Sequence, residues 1–185
     1  MLLGGSASDR GHSDPSAAAS RFVLNFDQKY GSSHPRFHEG SFASARSLAE
    51  REQRFLFVYL HCTDHQDTDA FCRQTMSSSA LSQFLADNRF VIWAADVADR
   101  EAYELGVSLN AASYPFVAVL ARGPSPQAAR SNAAGRWSTL FKSEEMVSAT
   151  ALVGALSEVV ERYGAVLERS RRERCARGLG VEKGQ

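Results

Sequence analysis

Apolar positions fall into three short continuous runs and several helical stripes, arranged in alternation along the chain. Residues 55–60 (FLFVYL), 90–95 (FVIWAA) and 116–121 (FVAVLA) are aromatic, aliphatic and β-branched, and each is bounded by polar residues. Such runs predict buried strands. Between them the spacing predicts helices. One spans 41–53, capped by Ser41, with Phe42, Ala45, Leu48 and Ala49 on one face. Another starts at Asp67 or Thr68 and passes through Phe71 and Cys72, and a third covers 79–87, burying Leu81, Phe84 and Leu85. A fourth is expected over 99–110, with Tyr103, Leu105, Val107 and Leu109 as its apolar positions. The last starts at Ser143, with Glu144 and Glu145 complementing its dipole. Its stripe is Met146, Ala149, Leu152, Val153, Leu156, Val160, Tyr163 and Leu167, and beyond Leu167 charge takes over.

This order predicts an α/β fold: a central mixed sheet with a mostly parallel core, flanked by helices and followed by an extended C-terminal helix. A short edge strand is expected within 135–140, after a loop beginning at Gly123. The domain reading is a disordered tail at 1–20, a folded domain at 21–167 and a charged helix end and tail at 168–185. Residues 21–40 mix Phe22, Phe26, Tyr30 and Phe37 with Gly31, Pro35 and Gly40, which predicts an irregular arm pinned to the surface by its rings. About 150 residues remain without the tails. A domain of that size buries close to ~70% of its unfolded surface and needs no metal or disulfide to hold it together.

Composition changes this picture little. The 185 residues are 44% hydrophobic and 23% charged, with a formal net charge of zero, so nothing marks a generic nucleic-acid or anionic-membrane binder. Arginines do crowd the C-terminal end at Arg169, Arg171, Arg172, Arg174 and Arg177. The cysteines are Cys62, Cys72 and Cys175, an odd number with no close pair, which points to a reducing compartment. Neither a signal peptide nor an apolar run of ~20 residues is present.

The candidate chemistry lies where the first strand meets the first helix after it. His61, Cys62, Asp64, His65, Asp67, Asp69 and Cys72 gather there, but their spacing matches no zinc pattern, and no metal or other cofactor is expected. Nine residues separate Cys62 from Cys72, where a redox dithiol has two, and Asp67 and Asp69 disfavour a thiolate at Cys72. No Gly-rich phosphate loop or Gly-x-Ser-x-Gly elbow occurs, so no enzyme is expected. The alternative at this junction is a capping and turn network, with Asp67 or Thr68 at the helix start and His65 bonding locally. Pro115 opens the third strand; cis and trans Tyr114–Pro115 both remain open, with its position after a helix and before a central strand favouring cis.

Tyr30-Gly31, His34-Pro35, Phe37 and Gly40, the run from Phe55 to His61, the stretch His65-Gln-Asp-Thr-Asp-x-Phe-Cys-Arg73 and Tyr114-Pro115-Phe116 together carry a resemblance. The chain resembles the UAS domain of the Fas-associated-factor branch of UBX adaptor proteins, over roughly residues 22–167. The resemblance implies a thioredoxin-like fold that lacks the redox pair at this junction, and hence no oxidoreductase activity. It also implies a place in ubiquitin-dependent, endoplasmic-reticulum-associated degradation, with ubiquitin and valosin-containing-protein machinery as partners. A cytoplasmic location peripheral to the endoplasmic reticulum or lipid droplets follows from the same likeness. These 185 residues show no membrane hairpin and no UBX segment, so ATPase recruitment and anchoring are not expected of this stretch itself.

Two readings of different class result. In the first, the domain senses long-chain unsaturated fatty acids and forms homo-oligomers, as the resemblance implies. An apolar groove and a cation would then be needed, with Arg46, Arg51, Arg54 and Arg89 as candidates for the carboxylate contact. The second is a protein-interaction domain without lipid binding, using the loop of His61, Asp64, His65, Asp67 and Asp69 or the arginine-rich helix end. A thiol–disulfide oxidoreductase is the distant third.

Overall fold

The computed structural model describes residues 14–123 and 136–179. Four strands form one sheet in the order β2-β1-β3-β4. They are β1 (Leu56–His61), β2 (Val91–Asp96), β3 (Phe116–Arg122) and β4 (Trp137–Ser143). β1 lies parallel to β2, with Leu56 opposite Val91, and antiparallel to β3, with Leu56 opposite Leu120. β3 and β4 are antiparallel, with a register break at Val119/Leu120. The sheet is therefore mixed with one parallel pair, and the expected mostly parallel core is corrected. Helices cover both faces, so parallel and antiparallel strands alike read as continuous apolar runs, and the sequence does not record their direction.

Alternation along the strands divides the core in two. On one face lie Phe57 and Tyr59 of β1, Ile92 and Ala94 of β2, and Val117, Val119 and Ala121 of β3. Helix α1 (Pro15–Tyr30), the short α3 (Thr68–Phe71), α4 (Ser79–Asp87) and α6 (Ala149–Leu179) cover this face. On the other, Leu56, Val58, Leu60, Trp93, Phe116 and Ala118 pack under α2 (Phe42–Glu52) and α5 (Arg100–Ser108). α5 approaches closely because Gly106 presents no side chain: a Cβ there would meet Leu60 Cδ1 at 3.3 Å. Each buried large side chain of this kind stabilises by ~1.5–3 kcal/mol.

Several expectations are corrected in detail. Pro15–Tyr30 is one helix, capped by the Asp14 carboxylate accepting from Ser16 N–H at 3.1 Å. It begins inside the stretch expected to be disordered and replaces the first half of the expected irregular arm. Proline at its first position and the buried Ala18, Ala19, Phe22 and Phe26 at helical spacing account for it; residues 1–13 lie outside the described residues. Only 31–40 is irregular. That segment covers the outer edge of β2: His38 N–H donates to Ile92 O at 2.7 Å, and Trp93 Nε1–H to Gly40 O at 3.0 Å.

Tyr103 and Val107, expected in the core, are each 61% exposed, while Ala102, Leu105 and Gly106 are buried. Apolar residues at every second position cannot share a helical face, whereas 102, 105 and 106 do. Ser143 ends β4 and does not cap a helix; α6 begins at Ala149. The expected edge strand is β4, though the loop at 124–135 lies outside the described residues. α6 continues twelve residues beyond Leu167, the last buried position among residues 149–176, to Leu179. Among the described residues no helix is long and apolar enough to cross a membrane.

Candidate functional site

The junction between β1 and α3 is built from three elements. β1 delivers Tyr59 and His61 to one face of the sheet, because side chains two apart on a strand point the same way. α3 passes into a π-helical turn, Cys72–Met76, which buries Cys72, Thr75 and Met76 together. Single π-turns of this kind occur mostly inside α-helices and are frequent at functional sites. α1 closes the site from above, with the Phe22 ring 5.5 Å from the His61 ring and edge-on to it.

Within this enclosure Tyr59 Oη lies 3.0 Å from His61 Nδ1 and 3.2 Å from Cys72 Sγ; Sγ is 3.7 Å from Nδ1. Tyr59 and Cys72 are fully buried and His61 is 6% exposed. Burial, the dominant cause, pushes the Cys72 thiol up to about 11 and the Tyr59 phenol well above its ordinary value. Burial also lowers His61, against Asp96, which raises it. All three groups are therefore neutral at physiological pH. They form a neutral polar network, which is the opposite of an activated nucleophile.

The rim is an ion network. Tyr30 Oη donates to Asp69 Oδ1 at 2.6 Å, and Lys29 Nζ pairs with the same oxygen at 2.7 Å. Those hydrogen bonds, from Lys29 first and Tyr30 second, hold the Asp69 carboxyl below its usual range. Arg21 of α1 pairs with Asp99 at 3.0 Å. Between α1 and the ends of β1 and β2 this leaves a cleft of about 360 Å³, whose lining includes Arg21, Asn25, Lys29 and His61.

The expected interaction loop is thus divided. His61 and Asp69 are drawn against α1, while Asp64 is exposed and His65 and Asp67 are half-buried. Thr68, at the helix start, donates to Cys62 O at 2.6 Å, and Asp67 N–H reaches His65 Nδ1 at 3.3 Å. Asp67 makes no side-chain cap. Sequence reasoning missed Tyr59 and Tyr30 as members of the site. The only signal for Tyr59 was its position two before His61 on a strand. The Tyr114–Pro115 bond is cis and Pro115 is buried.

The four arginines separate. Arg46 stacks over the Trp137 ring at 5.2 Å, and Arg51 pairs with Glu52 at 3.5 Å. Arg54 donates to Arg89 O, to Phe90 O at 2.7 Å and to Glu52 at 3.0 Å, so its fork is occupied in fixing the turn into β2. Arg89 is exposed, and its guanidinium makes no hydrogen bond or ion pair among the described residues. Arg54 and Arg89 share a second cleft of about 220 Å³ with Phe55, Val160, Leu167 and Arg171.

A family model described as Fas-associated factor 1 matches residues 22–119. The chain is 39% identical to the human protein Fas-associated factor 2 over 107 residues, 58% of this chain and 24% of that protein. It is 38% identical to plant UBX domain-containing protein 10 of Arabidopsis thaliana over 122 residues, 63% of this chain and 25% of that one. It therefore spans about a quarter of the length of these relatives. Among solved structures it resembles a thioredoxin from Thermus thermophilus, with a TM-score of 0.57, 19% identity, and coverage of 72% of this chain and 92% of that one. A DsbH oxidoreductase is similar with a TM-score of 0.53, 14% identity, and coverage of 69% and 85%. At such identities the likeness shows the fold, which is thioredoxin-like.

Proposed function

Because the chain belongs to the Fas-associated factor family, we propose that it is a non-catalytic adaptor module on a thioredoxin-like scaffold. One observation carries this reading. At the strand–helix junction the first helical turn, Thr68–Phe71, contains no cysteine, and Cys72 after it is buried as a neutral thiol beside Tyr59 Oη. Cys62 and Cys72 are both free. An insulin-reduction assay tests it: turbidity should not rise above the protein-free control, and turnover would refute it.

The finer reading is a module of ubiquitin-dependent, endoplasmic-reticulum-associated degradation that binds long-chain unsaturated fatty acid and self-associates on doing so. Geometry favours Arg89 over the other three arginines as the carboxylate contact, since its guanidinium is open beside the apolar Phe55, Val160 and Leu167. Sedimentation with oleate and with stearate tests this. The expected result is a larger species with oleate, less with stearate, and a loss of the difference in Arg89→Glu. Unchanged sedimentation with excess oleate would leave protein interaction without lipid binding, on the outer face of the 61–69 loop or the arginine-rich end of α6.

A further inference from the structure

The cleft between α1 and the sheet ends holds a feature that the adaptor reading does not use. His61 is more than nine-tenths buried, yet it lines this cleft of about 360 Å³. Its Nδ1 is taken by Tyr59 Oη at 3.0 Å and approached by Cys72 Sγ at 3.7 Å. Its other ring nitrogen makes no hydrogen bond among the described residues. That nitrogen is not among the enclosed, unpartnered polar atoms, so it opens onto the cleft and is free to meet a ligand atom there.

The network fixes what that nitrogen offers. Tyr59 has one proton and Cys72 a weak one. Both contacts of the phenol have a donor and an acceptor when the Cys72 thiol donates to Tyr59 Oη and Tyr59 donates to His61 Nδ1. The reverse arrangement would spend the phenol's strong donor on sulfur, a weak acceptor. In the favoured arrangement the imidazole is neutral and carries its proton on Nε2, so it presents a donor to the cleft.

The rest of the lining extends the same bias. Arg21 and Lys29 stand eight residues apart on α1, about two turns, and so on one side of it. Each already holds a carboxylate, Asp99 and Asp69 respectively, and each keeps further N–H groups. The Asn25 amide lies between them and makes no hydrogen bond among the described residues. Asp96, the other acid in the lining, is occupied: it accepts from Thr63 Oγ1 at 2.5 Å and from Ala98 N–H at 2.8 Å. The donors left open to the cleft are His61 Nε2, the Asn25 amide and the spare N–H groups of Lys29 and Arg21. Phe22, Phe26 and Tyr30 supply an aromatic wall.

We infer that this cleft is a binding site for a compact carboxylate with an apolar body, its oxygens on His61, Asn25 and Lys29 and its body against Phe22 and Tyr30. The volume suits one aromatic or branched aliphatic acid, or the last residue of a peptide with a free C-terminal carboxylate. Both sources share the chemistry, and the site is separate from the Arg89 cleft.

The test uses the full chain, labelled with ¹⁵N, and phenylacetate as probe. Phenylacetate should shift the His61 side-chain nitrogens and the backbone amides of Asn25, Lys29 and Thr63, while phenylacetamide binds at least tenfold more weakly. N-acetylphenylalanine and its amide form a second pair. Tighter binding of N-acetylphenylalanine than of phenylacetate identifies a peptide C-terminus as the natural source, and weaker binding a free acid; either supports the site, provided the amide is discriminated. Asn25→Leu and Lys29→Gln, both exposed and outside the core, should each weaken phenylacetate at least fivefold while leaving the melting temperature within a few degrees. The site is overturned if acid and amide bind alike, if the shifts cluster around Arg89, or if none appear at tens of millimolar phenylacetate.

Discussion

Tyr59 and His61 stand two apart on the central strand, and their polar tips meet 3.0 Å apart inside the core, closed by the thiol of Cys72. A single phenol thus bridges a buried imidazole and a buried thiol, both of which burial keeps neutral. The junction between β1 and α3 is filled by a network of three neutral, mutually bonded groups.

Tyr59→Phe removes that donor while keeping the ring. His61 and Cys72 then lose the phenol and keep only their weak 3.7 Å contact with each other across the site, so the variant should be less stable by ~1–3 kcal/mol. Urea unfolding should show a lower midpoint at an unchanged slope. A midpoint equal to that of the parent would mean that water or another group satisfies the pair.

Burial lowers the His61 pKa, so the unfolded chain takes up this proton first. The associated stability is complete above the ordinary histidine value of 6.5 and is lost as pH falls through it toward the lower folded value. His38, lowered by the same cause, acts in the same direction. The melting temperature should be flat above about pH 7 and fall by several degrees by about pH 5.5. His61→Gln should flatten that fall more than His38→Gln, because His61 is the more deeply buried.

The three thiols should react in an order set by burial. Cys175 is exposed and Cys72 buried, with a thiol raised to about 11. Iodoacetamide at about pH 8 should modify Cys175 first, Cys62 more slowly and Cys72 only after denaturation, as peptide mass spectrometry would reveal. Early labelling of Cys72 would show that α1 opens readily.

The attachment of α1 rests on an aromatic cluster. Phe26 is 2% exposed, with its ring 5.9 Å from Phe22 and 5.4 Å from Phe37. Phe26→Ala should cost ~3–5 kcal/mol, whereas Leu24→Ala, on the same helix but 61% exposed, should stay within ~0.5 kcal/mol. Thermal melts of both variants decide the matter. Equal effects would mean that α1 contributes nothing through its buried face.

Much of the fold was legible because the signals were local. The three apolar runs needed only their own side chains to declare themselves strands, and the Ser41 cap is observed, accepting from Ser44 N–H at 3.1 Å. α1 was missed because Ser and Ala before residue 21 read as a tail, and Gly31, Pro35 and Gly40 made the stretch holding Phe22 and Phe26 read as an irregular arm. On α5 the true stripe of Ala102, Leu105 and Gly106 is made of small residues, and the larger Tyr103 and Val107 concealed it.

By itself the sequence determined the three central strands and the helices between them, the absence of a closely spaced thiol pair and the family signature, since these depend on residue identity and neighbours along the chain. Only the tertiary structure decided strand direction, the course of α1 over the sheet, the separation of the four arginines, and the meeting of Tyr59, His61 and Cys72. Those relationships link residues far apart in the chain or facing a partner across a layer. They are settled by which surfaces are buried together, and a linear pattern of polarity does not carry that information.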